Sequence, residues 1–226
     1  GGRHGLMEFV KQCHARNIGV IVDIVYNHFM GSELWQFDGW SENGRGGIYF
    51  YNAHRGDTPW GARPDYGRAE VRQFLIDNIV MWLNEYRVDG LRLDSTIYMR
   101  NTKGHNNDPA HDIGDAWSLM QDITSVAHRV RPGSIIIAED TSGNEYITKP
   151  QSQGGLGFDA QWEIPFPHAI RQMLGVPSEW PASISQYITA QYNGDPFQRV
   201  IFSDSHDTAA NGAVRINEAV SPKQPD

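Results

Sequence analysis

Short apolar segments that are followed by polar residues constrain the fold of this chain most strongly. They occupy residues 18–25, 88–93 and 134–139 and are rich in Ile, Val and Leu. The second segment runs directly into Asp94, and the third ends on Glu139. Runs of this length are typical of strands that are buried on both faces of a parallel sheet. Because helical patterns separate them, the order of the elements predicts an α/β fold.

Two further strands are predicted at residues 155–162 and 200–203. Helical periodicity predicts helices at residues 5–16, 69–86, 115–130, 167–174 and 184–191. Polar residues at the carboxyl ends of the strands are typical of a (β/α)8 TIM barrel. A doubly wound sheet is the alternative, but no Gly-rich phosphate loop follows any strand. Since a barrel needs more strands than these, we expect residues 1–226 to form part of one catalytic barrel, and the last twenty residues to form a loop or a frayed end.

Residues 29–68 are punctuated by Gly, Asn, Asp and Pro and predict a long loop inserted after a strand. Its aromatic residues are Trp35, Phe37, Trp40, Tyr49, Phe50, Tyr51 and Trp60. A loop of this length inside a compact domain is usually functional. Aromatic rings suit stacking against sugars, although part of them will pack the loop itself.

The charge of the chain narrows the classes of partner. It carries 19 Lys and Arg against 27 Asp and Glu, a formal net charge of −8 that is spread along the sequence. A nucleic-acid surface would need a basic stripe, so we expect no nucleic-acid partner and find a neutral, polyhydroxylated ligand more compatible. No apolar run reaches the roughly 18 residues of a membrane span, so no membrane partner is expected.

Arg92 and Asp94 are two residues apart on a predicted strand, so their side chains point the same way. A neighbouring arginine favours the ionised carboxylate, and an ionised carboxylate at the end of a strand can act as a nucleophile. The alternative is a purely structural ion pair. Asp23 is the one charge in the apolar segment 18–25 and needs a partner, for which Arg92 is the candidate.

Other strand ends carry similar residues, and in a barrel they converge on one face. They supply Asp23, Asn27, His28, Arg92, Asp94, Glu139, His206 and Asp207. Carboxylates in an aromatic-lined site are the equipment of a retaining glycosidase. Asp94 would attack the anomeric carbon, Glu139 would protonate the leaving oxygen, and Asp207 would assist the transition state. A metal site is the rival interpretation, but no His-x-x-x-His or cysteine spacing supports a catalytic metal.

Four segments resemble the four conserved regions of the α-amylase family of glycoside hydrolases, in the order of that family. They are Asp23-Ile-Val-Tyr-Asn-His28, Gly90-Leu-Arg-Leu-Asp94, Ala138-Glu139-Asp140 and Phe202-Ser-Asp-Ser-His-Asp207. The resemblance implies barrel strands three, four, five and seven, with strands one, two and eight outside the chain. It also implies that Asp94 is the nucleophile, Glu139 the acid/base and Asp207 the transition-state stabiliser. Sugar-binding residues implied by it are His28, Arg92 and His206.

Within that family, residues 58–61 and 154–159 resemble glucan branching enzymes, whereas residues 23–28 are nearer to amylases and trehalose-releasing hydrolases. Many amylases carry Lys-His after the nucleophile, where this chain has Ile97-Tyr98. The resemblance therefore favours branching of α-1,4-glucans, with Trp60 and Tyr98 as further substrate-binding residues. Hydrolysis by an amylase or by a malto-oligosyltrehalose trehalohydrolase is the alternative.

The resemblance carries expectations about metal, compartment and catalysis as well. Asn27 and Asp65 match the positions at which amylases bind a structural calcium, and no cofactor is otherwise required. Branching implies a cytoplasmic protein, and a scavenging amylase would imply export. Some relatives are non-catalytic transporter subunits or scaffolds; these usually lack one or more of the three acids, all of which are present here.

Overall fold

The computed structural model describes residues 1–29, 47–175, 180–210 and 215–220. The chain forms two compact units, Gly1–Ala160 and Gln161–Asp226. Trp35, Phe37 and Trp40, with the rest of residues 30–46 of the predicted loop, lie outside the described residues. In its described part, residues 47–68, this loop contains one short 3-10 helix, Ala53–Gly56.

The first unit alternates helices with short parallel strands. Its elements are α1 (Gly2–His14), β1 (Ile21–Ile24), α2 (Ala69–Val80), β2 (Gly90–Leu93), α3 (Thr96–Arg100), α4 (Gly114–Val130), β3 (Ile135–Ala138) and the first residue of β4 (Ala160–Trp162). β2 pairs in parallel with β1 on one side and with β3 on the other. The α/β class and the parallel strands predicted from the sequence are confirmed, and closure into a barrel stays a prediction.

β2 is the centre of this sheet. All four of its residues are buried, whereas Ile21 of β1 is 48% exposed. The prediction that residues 18–25 are buried on both faces is therefore wrong for β1, because among the described strands β1 has a neighbour on one side alone. Gly90 allows the close approach of β3, since a Cβ there would lie 2.3 Å from the carbonyl oxygen of Ile135.

The helices α2 and α4 pack against each other, and their buried apolar residues belong to one core cluster with those of β2 and β3. In α2, Val71, Leu75 and Ile79 recur every four residues and are buried. The helix predicted to reach residue 86 changes type: α2 ends at Val80, and residues Met81–Glu85 form a π-helix. The wider turn lets Leu83 stay buried, so the apolar stripe continues past the end of α2. The short helix α3 was not predicted.

The second unit contains the rest of β4, then α5 (Pro165–Gly175), α6 (Trp180–Thr189), β5 (Arg199–Val200), α7 (His206–Ala210) and α8 (Ile216–Val220). β4 and β5 are parallel, with Gln161 opposite Arg199. The helix predicted from residue 184 begins earlier, at Trp180. The prediction of a loop or a frayed end for the last twenty residues is wrong in part, because α8 and most of α7 lie there.

A search of the described ranges for a helix of membrane-spanning length and apolarity finds none.

Candidate active site

A buried arginine lies at the centre of the candidate site. Arg92 is the third residue of β2, directly opposite Asp23 of β1, and its side chain is 4% exposed. Its Nη1 donates to Asp23 Oδ1 at 2.7 Å and to Asp94 Oδ1 at 2.9 Å. Its Nη2 lies 2.6 Å from Glu139 Oε2. We name these four residues the Arg92 cluster.

The sheet itself brings the cluster together. Asp94 and Glu139 are the first residues beyond β2 and β3, and their backbone N–H groups continue the ladder by donating to Ile24 and Leu93. Alternation along β2 puts Arg92 and Asp94 on the same side, and the register puts Asp23 beside Arg92. Three carboxylates from three adjacent strands therefore meet around one guanidinium group.

These charges act on one another strongly because the side chains of Arg92, Asp94 and Glu139 are largely buried, although that of Asp23 is 43% exposed. Burial alone would lower the pKa of Arg92, but the carboxylates of Glu139, Asp23 and Asp94 outweigh it and raise that pKa. The guanidinium is therefore permanently charged. This fixed positive charge lies 2.9 Å from Asp94 Oδ1, so the residue expected to act as nucleophile has a cationic neighbour that orients it.

A turn after β2 supplies a further donor to Glu139. Ser95 adopts the left-handed conformation, with φ 43° and ψ 51°, which is uncommon for a residue other than glycine. Its backbone N–H donates to Glu139 Oε2 at 2.8 Å. The same oxygen thus accepts from Ser95 and contacts Arg92, so the side chain of Glu139 is fixed in orientation before any ligand binds.

Asn27 and His28 hold the other side of Asp94. Asn27 is fully buried, and its Nδ2 donates to both the carbonyl oxygen and Oδ2 of Asp94 at 2.8 Å. Its Oδ1 accepts from Nδ1 of His28, which lies 3.9 Å from Asp94 Oδ2. Burial lowers the pKa of His28, and the charge of Asp94 opposes this only in part. His28 is therefore neutral at pH 7 with its proton on Nδ1, so Nε2 can accept a hydrogen bond.

Three neighbouring rings form a row that begins at His28. The ring of His28 is centred 5.4 Å from that of Trp60, and the Trp60 ring is centred 5.0 Å from that of Tyr98. Trp60 is 54% exposed, so the row offers an apolar surface to solvent beside the carboxylates. The predicted substrate-binding residues His28, Trp60 and Tyr98 are thus neighbours.

The two residues predicted to bind calcium, Asn27 and Asp65, form hydrogen bonds with other residues of the protein. Asn27 uses its Oδ1 for His28, and Asp65 accepts from the N–H of Gly67 at 3.1 Å and from Arg68 at 3.2 Å. Among the described residues, no group of three or more His, Cys, Asp or Glu could hold a metal ion. The oxygens of this pair are therefore engaged rather than arranged for a cation, and calcium binding stays a prediction.

His206 and Asp207 belong to the second unit, where they open α7. His206 Nε2 lies 3.5 Å from Asp207 Oδ2, and both side chains are about half exposed, at 59% and 46%. The ring of Trp162 is centred 6.1 Å from that of His206. Both residues therefore follow the carboxyl end of β5, as the sequence predicts for site residues.

A buried ion pair behind Glu139 was missed by the sequence reasoning. Arg100, at the end of α3, donates to the fully buried Asp140 through Nε at 2.8 Å and Nη2 at 2.7 Å. Thr96 donates its hydroxyl to the carbonyl oxygen of Glu139 at 3.1 Å. A second acid directly after Glu139 was the available signal, since an acid that follows a buried strand needs a partner.

Comparison with known proteins bears on what this site does. No family model matches the chain. It is 31% identical over 223 residues to 1,4-alpha-glucan branching enzyme GlgB of Desulfitobacterium hafniense, covering 94% of this chain and 34% of that protein. The protein of the same name from Oceanobacillus iheyensis is 34% identical over 170 residues, 69% of this chain and 26% of that protein.

The Geobacillus stearothermophilus protein of that name is 31% identical over 215 residues, which make up 94% of this chain and 33% of that protein. The chain thus spans between a quarter and a third of the length of these relatives. By sequence, it is a relative of one segment of the 1,4-alpha-glucan branching enzymes.

Proposed function

We propose that the full-length protein is a 1,4-α-glucan branching enzyme that transfers a glucan chain by a retaining mechanism. The observation that carries the proposal is the Arg92 cluster, which holds Asp94 and Glu139 on one guanidinium group. Retaining glycosidases need two carboxyl groups only about 5–5.5 Å apart. The relatives reported above are branching enzymes by name, which favours branching over hydrolysis. A cytoplasmic location is part of the same proposal.

In the first half of the reaction Asp94 is the nucleophile. One carboxylate oxygen attacks C1 of a glucosyl unit, the bond between C1 and the leaving O4 breaks, and protonated Glu139 gives its proton to O4. A glycosyl ester of Asp94 and a shortened glucan result. Arg92 and Asn27 each bind one oxygen of Asp94, so the nucleophile is aimed without being neutralised.

In the second half a sugar hydroxyl takes the place of water. The O6 hydroxyl of an acceptor chain attacks C1, the ionised Glu139 takes its proton, and the ester bond to Asp94 breaks. The product carries an α-1,6 branch with the original anomeric configuration. Asp207 is assigned to stabilise the positive charge that develops on the sugar ring in both transition states.

The neighbours of Asp94 have roles in binding. Nε2 of the neutral His28 can accept a hydrogen bond from a sugar hydroxyl, and the rings of Trp60 and Tyr98 can stack on glucosyl units. Arg92 contacts Asp94 and Glu139 and fixes the orientation of both side chains. Preorganised charge of this kind is effective because nothing has to reorient as the transition state forms.

The test is incubation of the full-length protein with amylose. Branching lowers the iodine colour with almost no new reducing ends, and digestion of the product with isoamylase releases short linear chains. Reducing ends that rise in step with the loss of colour would contradict the proposal and show a hydrolase.

A further inference from the structure

A second groove in the first unit is lined by residues outside the Arg92 cluster. It has a volume of about 350 Å³ and lies between the loop 101–113, the start of α4 and the turn at residues 144–146. Ligand pockets commonly have volumes of about 300–1,000 Å³, so the space suits a small part of a larger ligand.

The lining of the groove combines two aromatic rings with amide and charged groups. Trp117 of α4 is half-buried, and Tyr146 is 44% exposed, with Lys149 Nζ lying 4.3 Å from the centre of its ring. Asn106, Asn144 and Asp112 supply hydrogen-bonding groups between them. Flat apolar rings beside amide and carboxylate groups match the two kinds of surface on a pyranose, its C–H faces and its hydroxyl rim.

The polar groups are held in place before a ligand arrives. Oδ1 of Asn106 accepts from Arg100 Nη2 and from Asn144 Nδ2, both at 3.0 Å. Oδ1 of Asn144 accepts in turn from the backbone N–H of Tyr146 at 3.0 Å. Binding to such a site loses little conformational entropy, which favours affinity.

The groove is joined to the catalytic acid by one chain of contacts. Arg100 lines the groove and also binds Asp140 through two hydrogen bonds. Asp140 directly follows Glu139 in the chain. Arg100 therefore connects the lining of the groove to the residue that directly follows the acid assigned to deprotonate an acceptor.

We propose that this groove is a subsite for the acceptor chain, where it binds a segment of α-1,4-linked glucan. The inference rests on the proposed function, since an acceptor glucan is needed only for transfer. In this subsite, Trp117 and Tyr146 bind the acceptor chain.

A larger cavity of about 650 Å³, between α1 and residues 85–87, lacks this chemistry. The aromatic ring that lines it, Tyr86, packs on Trp82 with ring centres 4.7 Å apart. This cavity therefore offers mainly charged side chains to a ligand, whereas the groove offers aromatic rings next to amide groups.

The experiment uses the full-length protein with Asp94→Asn, which prevents turnover, and maltoheptaose as the probe. Hydrogen exchange of the backbone, followed by mass spectrometry, is expected to slow in residues 101–113 and 141–149 when maltoheptaose is added. Adding Tyr146→Ala should remove that protection, as should the milder Trp117→Leu, which keeps apolar packing. Phe9→Ala, which removes an exposed ring that does not line the groove, should leave the protection intact. Cellohexaose, which is β-linked, should give no protection.

Turnover gives the second readout. With Asp94 restored, Tyr146→Ala should raise KM for the acceptor about three- to tenfold, the loss of roughly one ring contact, with a smaller change in kcat. Protection that is absent, or equal in Tyr146→Ala, would overturn the subsite. Protection that depends on Tyr146 together with rising reducing ends would instead overturn the branching function and retain a glucan site.

Discussion

The two edges of the first unit's sheet handle charge in opposite ways. At the carboxyl edge one guanidinium group, that of Arg92, contacts three carboxylates. At the amino edge one carboxylate, Asp89, receives several donors. Its Oδ2 accepts from His14 at 2.8 Å and from the N–H of Val20 at 2.7 Å, and its Oδ1 accepts from Arg131 at 2.9 Å.

A weaker version of the amino-edge contact recurs before β4. Asp159 Oδ2 lies 2.9 Å from His128 Nε2 and accepts from the N–H of Ile136 at 2.7 Å. In both cases an aspartate that precedes one strand binds a backbone N–H in or next to the neighbouring strand. Each aspartate also binds a histidine of the helix that precedes that neighbouring strand. The amino edge thus has its acids fully satisfied, whereas the carboxyl edge keeps an excess of negative charge.

The difference in charge between the two edges indicates that the carboxyl edge serves catalysis and the amino edge serves stability. An excess of negative charge around Asp94 and Glu139 is unfavourable to folding but favours a transition state with positive charge on the sugar ring. Satisfied aspartates at the amino edge do nothing for a ligand and hold strands and helices together. In α/β folds of this kind the carboxyl ends of the strands carry the ligand sites.

The largest expected effect is a loss of activity from a substitution at the carboxyl edge alone. Asp94→Asn should lower kcat by at least about 10⁴-fold, the scale seen when a catalytic nucleophile is removed. The thermal midpoint should hold or rise, because the substitution keeps the volume, and Arg92 keeps Asp23 and Glu139. The measurements are initial rates on amylose and thermal unfolding. A variant with near-normal activity would show that Asp94 is not the nucleophile.

Arg92→Met should affect both properties at once. It leaves three carboxylates around an apolar side chain, and removing one partner of a buried ion pair costs about 3–5 kcal/mol. We expect a lower thermal midpoint and at least a 100-fold loss of kcat/KM, since Asp94 and Glu139 lose the group that orients them. Arg92→Lys is the control, because it keeps the charge and loses the fork geometry. Unchanged stability in Arg92→Met would contradict the description of the cluster as interdependent.

Asp89→Asn should reverse the pattern of Asp94→Asn. We expect the protein to lose about 1–2 kcal/mol of unfolding free energy, as for a charged hydrogen-bond acceptor, with kcat unchanged. Thermal midpoints and initial rates on the same preparation are the measurement. A fall in kcat without a loss of stability would mean that the amino edge has a catalytic role.

The same variant tests the pH dependence. Burial alone would raise the pKa of Asp89, but the N–H of Val20 together with His14 and Arg131 lowers it below the usual value. The contribution to stability is therefore fully present above the unfolded-state pKa of about 3.9 and is lost as the pH falls through the lower folded-state value. The gap in thermal midpoint between the wild type and Asp89→Asn should be full at pH 7 and narrow below about pH 4.

Asp159→Asn should give the smallest effect and sharpen the comparison within the amino edge. Its side chain is 40% exposed and His128 is 38% exposed, so the ion pair is screened by solvent and contributes about 0–1 kcal/mol. Thermal unfolding of both aspartate variants in one buffer is the measurement. A loss as large as that of Asp89→Asn would show that Arg131 adds little to the stronger site.

The sequence was sufficient for the parts that depend on periodicity. The contact between Asp23 and Arg92 follows from two apolar strands that each carry one charge, and the order of the helices follows from their stripes. Exposure of β1 was not predictable, because an apolar strand reads the same whether it has one neighbour or two. The π-helix at Met81–Glu85 was equally hidden, since the stripe continues through it.

The finer geometry of the site depends on single backbone conformations. Nothing in the sequence distinguishes Ser95 as left-handed, yet this conformation aims its N–H at Glu139. The pairing of Arg100 with Asp140 is a contact between residues 40 apart in the chain. Such contacts follow from tertiary packing rather than from local propensity, so periodicity carries no information about them.

The burial of Arg92 also makes the site a check on strand alignment during folding. Side chains alternate along a strand, so a slip of one residue between β1 and β2 would move Asp23 to the opposite face of the sheet. The guanidinium group would then be buried beside an apolar side chain of β1, at a cost in desolvation. Misaligned pairings are thereby penalised, and the residues that we assign to catalysis also select the native register.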